Sequence, residues 1–209
     1  MVDVPTDPST PSAPVRLPRV TPAPAPRLLD DATVHAAGAG DEAAFAEVFA
    51  ALHPLLRRYA TVLVGRHADD VVGEAWLHIA RDIRTFQGDV DGFRGWCARI
   101  VRNRAIDLVR ADDRRPVAPV GLDEGLDAVA PDDTAIDALD NIATSRAVAW
   151  IGSLPREQAE AVMLRAVIGM DTRTAADVLG KSPGAVRVAA HRGLRRLASQ
   201  LRAVHGGEA

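Results

Sequence analysis

The sequence predicts an all-α protein: two small helical domains joined by an acidic linker, with a disordered Pro-rich tail in front. Three observations carry this expectation. Hydrophobic residues make up 47% of the 209 residues but aromatics only 4%, so the core must be built mostly from Ala, Val, Leu and Ile. Apolar residues recur at three-and-four spacing through several segments. Charge is segregated: residues 93–116 hold seven basic and three acidic residues, 117–145 seven acidic and no basic, and 171–209 seven basic and three acidic. A net charge of −3 therefore conceals two cationic surfaces, each suited to a polyanion bound with an affinity that falls as salt rises. A merely solvated helix face is the alternative for either surface.

The expected divisions are a tail over 1–35, a first domain over 36–115, the linker over 116–141, a second domain over 142–204 and a short tail over 205–209. Eight of the 14 prolines fall in the first 26 residues, in VPTDPSTPSAPVRLPRVTPAPAP, which offers neither periodicity nor backbone donors for regular structure. The first helix is expected to begin near Asp41 as N-cap and to carry Phe45, Val48, Phe49, Leu52, Leu55, Leu56 and Tyr59, with Pro54 bending or interrupting it. A second amphipathic segment runs from Ala68 to about Phe86, with Val71, Val72, Ala75, Trp76, Ile79 and Ile83 on one side. The Gly-containing stretch 87–92 ends it, and a third helix spans Phe93 to about Arg110. In the second domain Pro155 opens a helix with Ala159, Val162, Met163 and Val167, which Gly169 ends. Asp171 caps a short helix, Gly180 supplies a turn, and Ser182 with Pro183 starts a last helix. Its inward positions are Val186, Ala190, Leu197 and either Gly193 or Leu194. Two helices joined by a turn of about four residues, the second one basic, form a helix-turn-helix pattern.

At 100° per residue Arg187, Val188, His191, Arg192 and Arg195 project away from the apolar stripe of that last helix. An α-helix fits the major groove, where Arg bonds guanine bidentately, and Arg187 and Arg192 are the best-placed candidates. Arg196 and Arg202 are expected to meet phosphates or only water. On the 93–110 helix Arg99, Arg102, Asn103 and Arg110 lie opposite an apolar arc containing Phe93, Trp96, Cys97, Ile100 and Val101. Asn103, spaced by four and three from Asp107 and Arg110, either bonds an unpaired base edge or belongs to an intrahelical polar network. Trp96 reads as core rather than as a stacking platform, and Cys97 as a small buried hydrophobe.

Other classes are excluded or weakened. A lone cysteine supports neither an internal disulfide nor a multi-thiolate zinc site. No apolar run approaches the roughly 18 residues a membrane span needs, and the start is not that of a secretory signal, so a cytoplasmic location is expected. His67, Asp70, Glu74 and His78 are spaced to line one side of a helix, as in metal-binding bundles, but a second ligand-bearing helix is missing. No cofactor, metal or catalytic residue is expected, and an exposed polar face that meets protein is the favoured reading.

Two stretches together resemble a known family. ADDVVGEAWLHIARDIRTFQGDVDGFRGWCARIVRNRAIDLVRADDRR resembles region 2, and LPREQAEAVMLRAVIGMDTRTAADVLGKSPGAVRVAAHRGLRRL resembles region 4, of the extracytoplasmic-function sigma factors of the bacterial sigma-70 family. The resemblance spans about Asp41 to Leu201. It implies a transcription initiation factor that binds RNA polymerase core (β′ clamp and β flap) and promoter DNA, with an anti-sigma protein as a conceivable further partner. It assigns Asp70, Val71, Glu74 and Leu77 to core polymerase. It assigns Gln87, Gly88, Asp89, Val90, Asp91 and Gly92, with Arg99, Arg102 and Asn103, to the −10 element, where a flipped base would be held. It assigns Arg165, Arg187, Val188, His191, Arg192 and Arg195 to the −35 element. Gly73, Thr172, Ala175 and Ala189 depart from the common family pattern, as does a longer 87–92 loop. The linker's seven acids, from charge alone, suggest a mimic of nucleic acid in the RNA-exit channel. A helix-turn-helix regulator that does not act through core polymerase, and a metal-dependent helical-bundle enzyme, stand as alternatives.

Overall fold

A computed structural model describes the backbone of residues 29–113 and 135–206, with side chains over 29–111 and 144–202. Most of the proline-rich stretch and of the acidic linker lies outside the described residues. All regular structure among the described residues is helical: α1 (Asp31–Ala39), α2 (Glu42–Val64), α3 (Ala68–Asp82), α4 (Val90–Asp113), α5 (Ala135–Gly152), α6 (Arg156–Val162), α7 (Thr172–Leu179) and α8 (Pro183–Gly206). Short 3₁₀ turns lead into α3 and out of it, and a π-helical turn, Met163–Val167, extends α6.

The expected boundary at residue 35 falls in the middle of α1, yet the segment carries its own start and stop. Asp30 accepts from Thr33 N at 2.8 Å, and Leu29, Val34 and Ala37 are buried. Asp41 caps α2 through Ala43 N and Ala44 N, as expected. Pro54 does not interrupt α2, which runs through it to Val64. An interior proline costs about 3 kcal/mol. Burial of Val48, Leu52, Leu56 and Tyr59 on both sides of it offsets that cost. In α3 the stripe Val72, Ala75, Trp76 and Ile79 packs against α2 and α4, and α4 contributes Phe93, Cys97 and Val101. Cys97 is fully buried, and desolvation pushes its thiol far above the range of a nucleophile, in keeping with its reading as a small hydrophobe.

The C-terminal half is built around α6, its π turn and α8. Asp171 Oδ1 accepts from Arg173 N at 2.6 Å and Thr174 N at 2.9 Å, so α7 starts where the sequence placed it. Gly180 then adopts φ 65°, the left-handed geometry that turns the chain between the two helices. Ser182 Oγ accepts from Ala185 N at 3.2 Å and Pro183 opens α8. The open choice on α8 resolves in favour of Gly193, which is buried, while Leu194 is exposed. A Cβ at 193 would lie 2.7 Å from Val162 Cγ2 and 3.3 Å from the Gln158 carbonyl, so only glycine lets α8 approach α6 this closely.

Removing the cap with Asp171→Ala is expected to cost about 0.5–2 kcal/mol at neutral pH, measured by urea denaturation. Hydrogen bonds from Thr174 hold the Asp171 carboxyl below its ordinary range. That contribution is therefore present above the unfolded-state value and disappears as pH falls through the lowered one. The gap between variant and parent should close on acidification below about pH 4.

Candidate nucleic-acid interface

Two surfaces carry the sequence-predicted DNA contacts, and the fold treats them differently. On α8, Val186, Ala190 and Gly193 turn inward, which leaves Arg187, Val188, His191, Arg192 and Arg195 exposed along the opposite side. None of the four cationic or imidazole side chains forms an ion pair among the described residues. This is a solvent-facing helix of arginines on a helix-turn-helix scaffold, with the small Ala189 among them to permit close approach. Arg165, the sixth candidate of this group, is half-buried and donates from Nη1 to the Met170 carbonyl, which ties it to the entry of α7.

The 87–92 segment is only partly a loop: Gln87, Gly88 and Asp89 are exposed, while Val90, Asp91 and Gly92 form the first turn of α4. Asp89 Oδ1 accepts from Gly92 N at 2.7 Å, and Asp31 Oδ1, from α1, accepts from Val90 N at 2.6 Å. Two carboxylates thus satisfy amides at the start of α4. Beneath the loop Phe86, Phe93 and Trp96 form an aromatic triad, with Phe86 and Phe93 5.1 Å apart edge-on and Trp96 5.6 Å from each. Trp96 therefore belongs to the packing under the loop.

Farther along α4, Asn103 is exposed, but the two arginines flanking it in role are engaged. Arg99 Nη2 donates to the Asp177 carbonyl of α7 at 2.7 Å, and Arg102 Nε donates to Glu160 Oε2 of α6 at 2.6 Å. Glu160 also accepts from Arg156 Nε at 3.1 Å and from Tyr59 Oη at 3.4 Å. Burial, then the nearby Glu160 charge, drives the Tyr59 phenol far upward, so it stays protonated and donates. Burying a carboxylate costs on the order of several kcal/mol, which these three donors must offset. Sequence reasoning missed Glu160. Its Arg156 partner at four residues' spacing was visible, but Arg102 is 58 residues away and no local pattern links them.

On α3, Asp70, Glu74 and Leu77 are exposed and spaced by four and three, and Leu77 keeps 73% of its surface in solvent. Val71, grouped with them by resemblance, points into the core instead and is 4% exposed, so it supports the face rather than forming it. Phe49, read in the sequence as part of the apolar stripe of the first helix, is 40% exposed beside this face, stacked 4.7 Å from His53 and tilted 4.7 Å from Trp76. The metal-like spacing of His67, Asp70, Glu74 and His78 does not assemble a ligand set. Arg81 and Arg104 lie 3.0 and 2.6 Å from the two ring nitrogens of His78, and Arg66 contacts His67. Among the described residues no group of three or more His, Cys, Asp or Glu side chains converges as metal ligands would. Nor, among these residues, is any helix long and apolar enough to cross a membrane.

Residues 48–115 match the family model of sigma-70 region 2, and residues 148–197 that of sigma-70 region 4. Over 179 residues the chain is 33% identical to the ECF RNA polymerase sigma factor SigD of Mycobacterium tuberculosis, covering 82% of this chain and 83% of SigD. It is 29% identical over 182 residues to the ECF RNA polymerase sigma factor ShbA of Streptomyces griseus, covering 79% and 92% respectively. Among solved structures it is similar to CnrH, determined in complex with the cytosolic domain of CnrY, with a TM-score of 0.56, 24% identity and coverage of 84% of this chain and 98% of that one. It is also similar to the sigma factor RpoE in complex with the anti-sigma factor NepR from Bartonella quintana, with a TM-score of 0.53, 20% identity and coverage of 76% and 96%. The two structural likenesses concern the fold.

Proposed function

As a member of the extracytoplasmic-function sigma factors of the sigma-70 family, to which this chain belongs, it directs RNA polymerase core to promoters at transcription initiation, and we propose that three of its surfaces divide that work. The α8 face of Arg187, Val188, His191, Arg192 and Arg195 reads the −35 duplex in the major groove. The Gln87–Gly92 segment and the α4 face at Arg99, Arg102 and Asn103 take the −10 element, holding bases extruded from the stack at a cost of a few kcal/mol. Asp70, Glu74 and Leu77, with Phe49 and Trp76 beside them, meet core polymerase. The protein works in the cytoplasm without a catalytic residue of its own, and an anti-sigma protein is a further partner, as NepR is for RpoE.

One observation supports this reading best: the exposed cationic face of α8, unpaired among the described residues, on a capped helix-turn-helix, in a chain whose first half presents a separate polar face on α4. In vitro transcription with added core enzyme on a library of random upstream sequences tests it. Initiation should depend on the added chain and enrich two boxes separated by a fixed spacing; chain-independent initiation would refute it. Within that assay Asn103→Ala should leave closed-complex affinity within about twofold while reducing strand opening, read by permanganate reactivity of unpaired thymines. An equal drop in both would make Asn103 a contact to duplex DNA.

A further inference from the structure

We propose that the two halves of the free chain close on each other and that Glu160 is the latch, its carboxylate taking on Arg102 the place that a DNA phosphate takes when the halves part. The inference rests on reading α4 as the single-strand face. Among the described residues Glu160 is the one charged side chain that is buried, at 3% exposure, and two of its three donors reach it from the other half. Its donors come from both sides of the junction: Arg102 and Tyr59 from the first half, Arg156 from its own helix.

The rest of the junction has the same logic. Gly95, Arg99 and Arg102 recur at four and three along α4 and so share one face. A Cβ at Gly95 would lie 2.6 Å from Thr174 Cγ2 and 3.7 Å from Val178 Cγ2, so α7 sits directly on that face. Arg99 donates to the Asp177 carbonyl in the last turn of α7, where a helix end favours a cation. Closure therefore consumes both arginines assigned to the −10 strand while leaving the α8 cations in solvent. The free factor keeps its duplex-reading helix available and ties up two cations of its strand-capturing one, with Asn103 still in solvent. A buried ion pair gains little over its solvated parts, so the latch holds without locking.

The built geometry supplies its own test. Thr174 Cγ2 is one bond from its Cβ, so cysteines at 95 and 174 would have Cβ atoms within about 4 Å, inside the range for a disulfide. In full-length protein carrying Gly95→Cys and Thr174→Cys, mild oxidation should form the cross-link, Cys97 being buried. The probe is a fluorescein-labelled single-stranded 20-mer of randomised sequence, read by anisotropy, in an Arg187→Ala/Arg192→Ala background so that α8 does not carry it. The oxidised form should bind at least tenfold more weakly than the reduced form. Glu160→Gln should bind at least threefold more tightly than its parent and, combined with the cysteine pair, cross-link severalfold more slowly. Thr174→Glu should tighten binding likewise, and it places an acid at N3, three residues after the Asp171 cap, so α7 keeps a sound start. No cross-link, equal affinity of the oxidised and reduced forms, or parental affinity in both Glu160→Gln and Thr174→Glu would overturn the latch. Failure of the underlying reading looks different: holoenzyme with Arg99→Ala/Arg102→Ala would open promoters normally while the cross-link still formed.

Discussion

Phe93→Ala is expected to lower the stability of the first half by about 3–5 kcal/mol, the cost of deleting a large side chain from a filled site. Phe93 is fully buried and lies 5.1 Å from Phe86 and 5.6 Å from Trp96. In a chain with four phenylalanines, three tryptophans and one tyrosine, few large side chains can shift to refill that volume. The triad also supports the loop before α4, since Phe86 packs under Gly88 and both Phe93 and Trp96 rise from the first turns of the helix. Strand opening should therefore fail before −35 binding does. Urea denaturation followed by circular dichroism measures the first effect; a loss below about 1 kcal/mol would mean that the ring is not a structural support.

Arg187→Ala should abolish discrimination at one −35 base pair, a loss of about 1–3 kcal/mol or roughly 5–150-fold in relative affinity. The side chain is exposed, unpaired among the described residues, and borne on the first turns of α8, which the Ser182 cap fixes. Arg196→Ala is the control, since it lies farther along the helix and is expected to meet phosphate. Its loss should be uniform across sequences and reduce the dependence of log affinity on log salt by about one unit. Competition binding against each single-base variant of the −35 box separates the two patterns. A uniform loss for Arg187→Ala would reassign it to the backbone.

What was legible in the sequence was local. Asp41, Asp171 and Ser182 announce helix starts because a short polar side chain can reach amides two or three residues on, and each makes that bond. The faces of α8 followed from its period alone. The missed features depend on partners distant in sequence. α1 was lost because a proline-rich composition adjoins it, although Asp30 caps it locally. Pro54 was expected to bend or interrupt its helix, and the interruption does not occur because packing on both sides outweighs one forfeited hydrogen bond. Val71 shares its spacing with a surface motif yet points inward. Arg99 and Arg102 were read from their own helix as solvent-facing, and only the opposing α6 and α7 show where their charges go.

Gly193 gives the reading helix a pivot. Because α8 rests on Val162, Leu154 and the Gln158 carbonyl at a position without a side chain, its pitch is set from behind. A methyl group added there must tip the helix or push α6 away, and the arginines in front would then enter a groove at a different depth without any of them being altered. Which promoters such a factor prefers is thus adjustable from its interior, by residues that never meet a base.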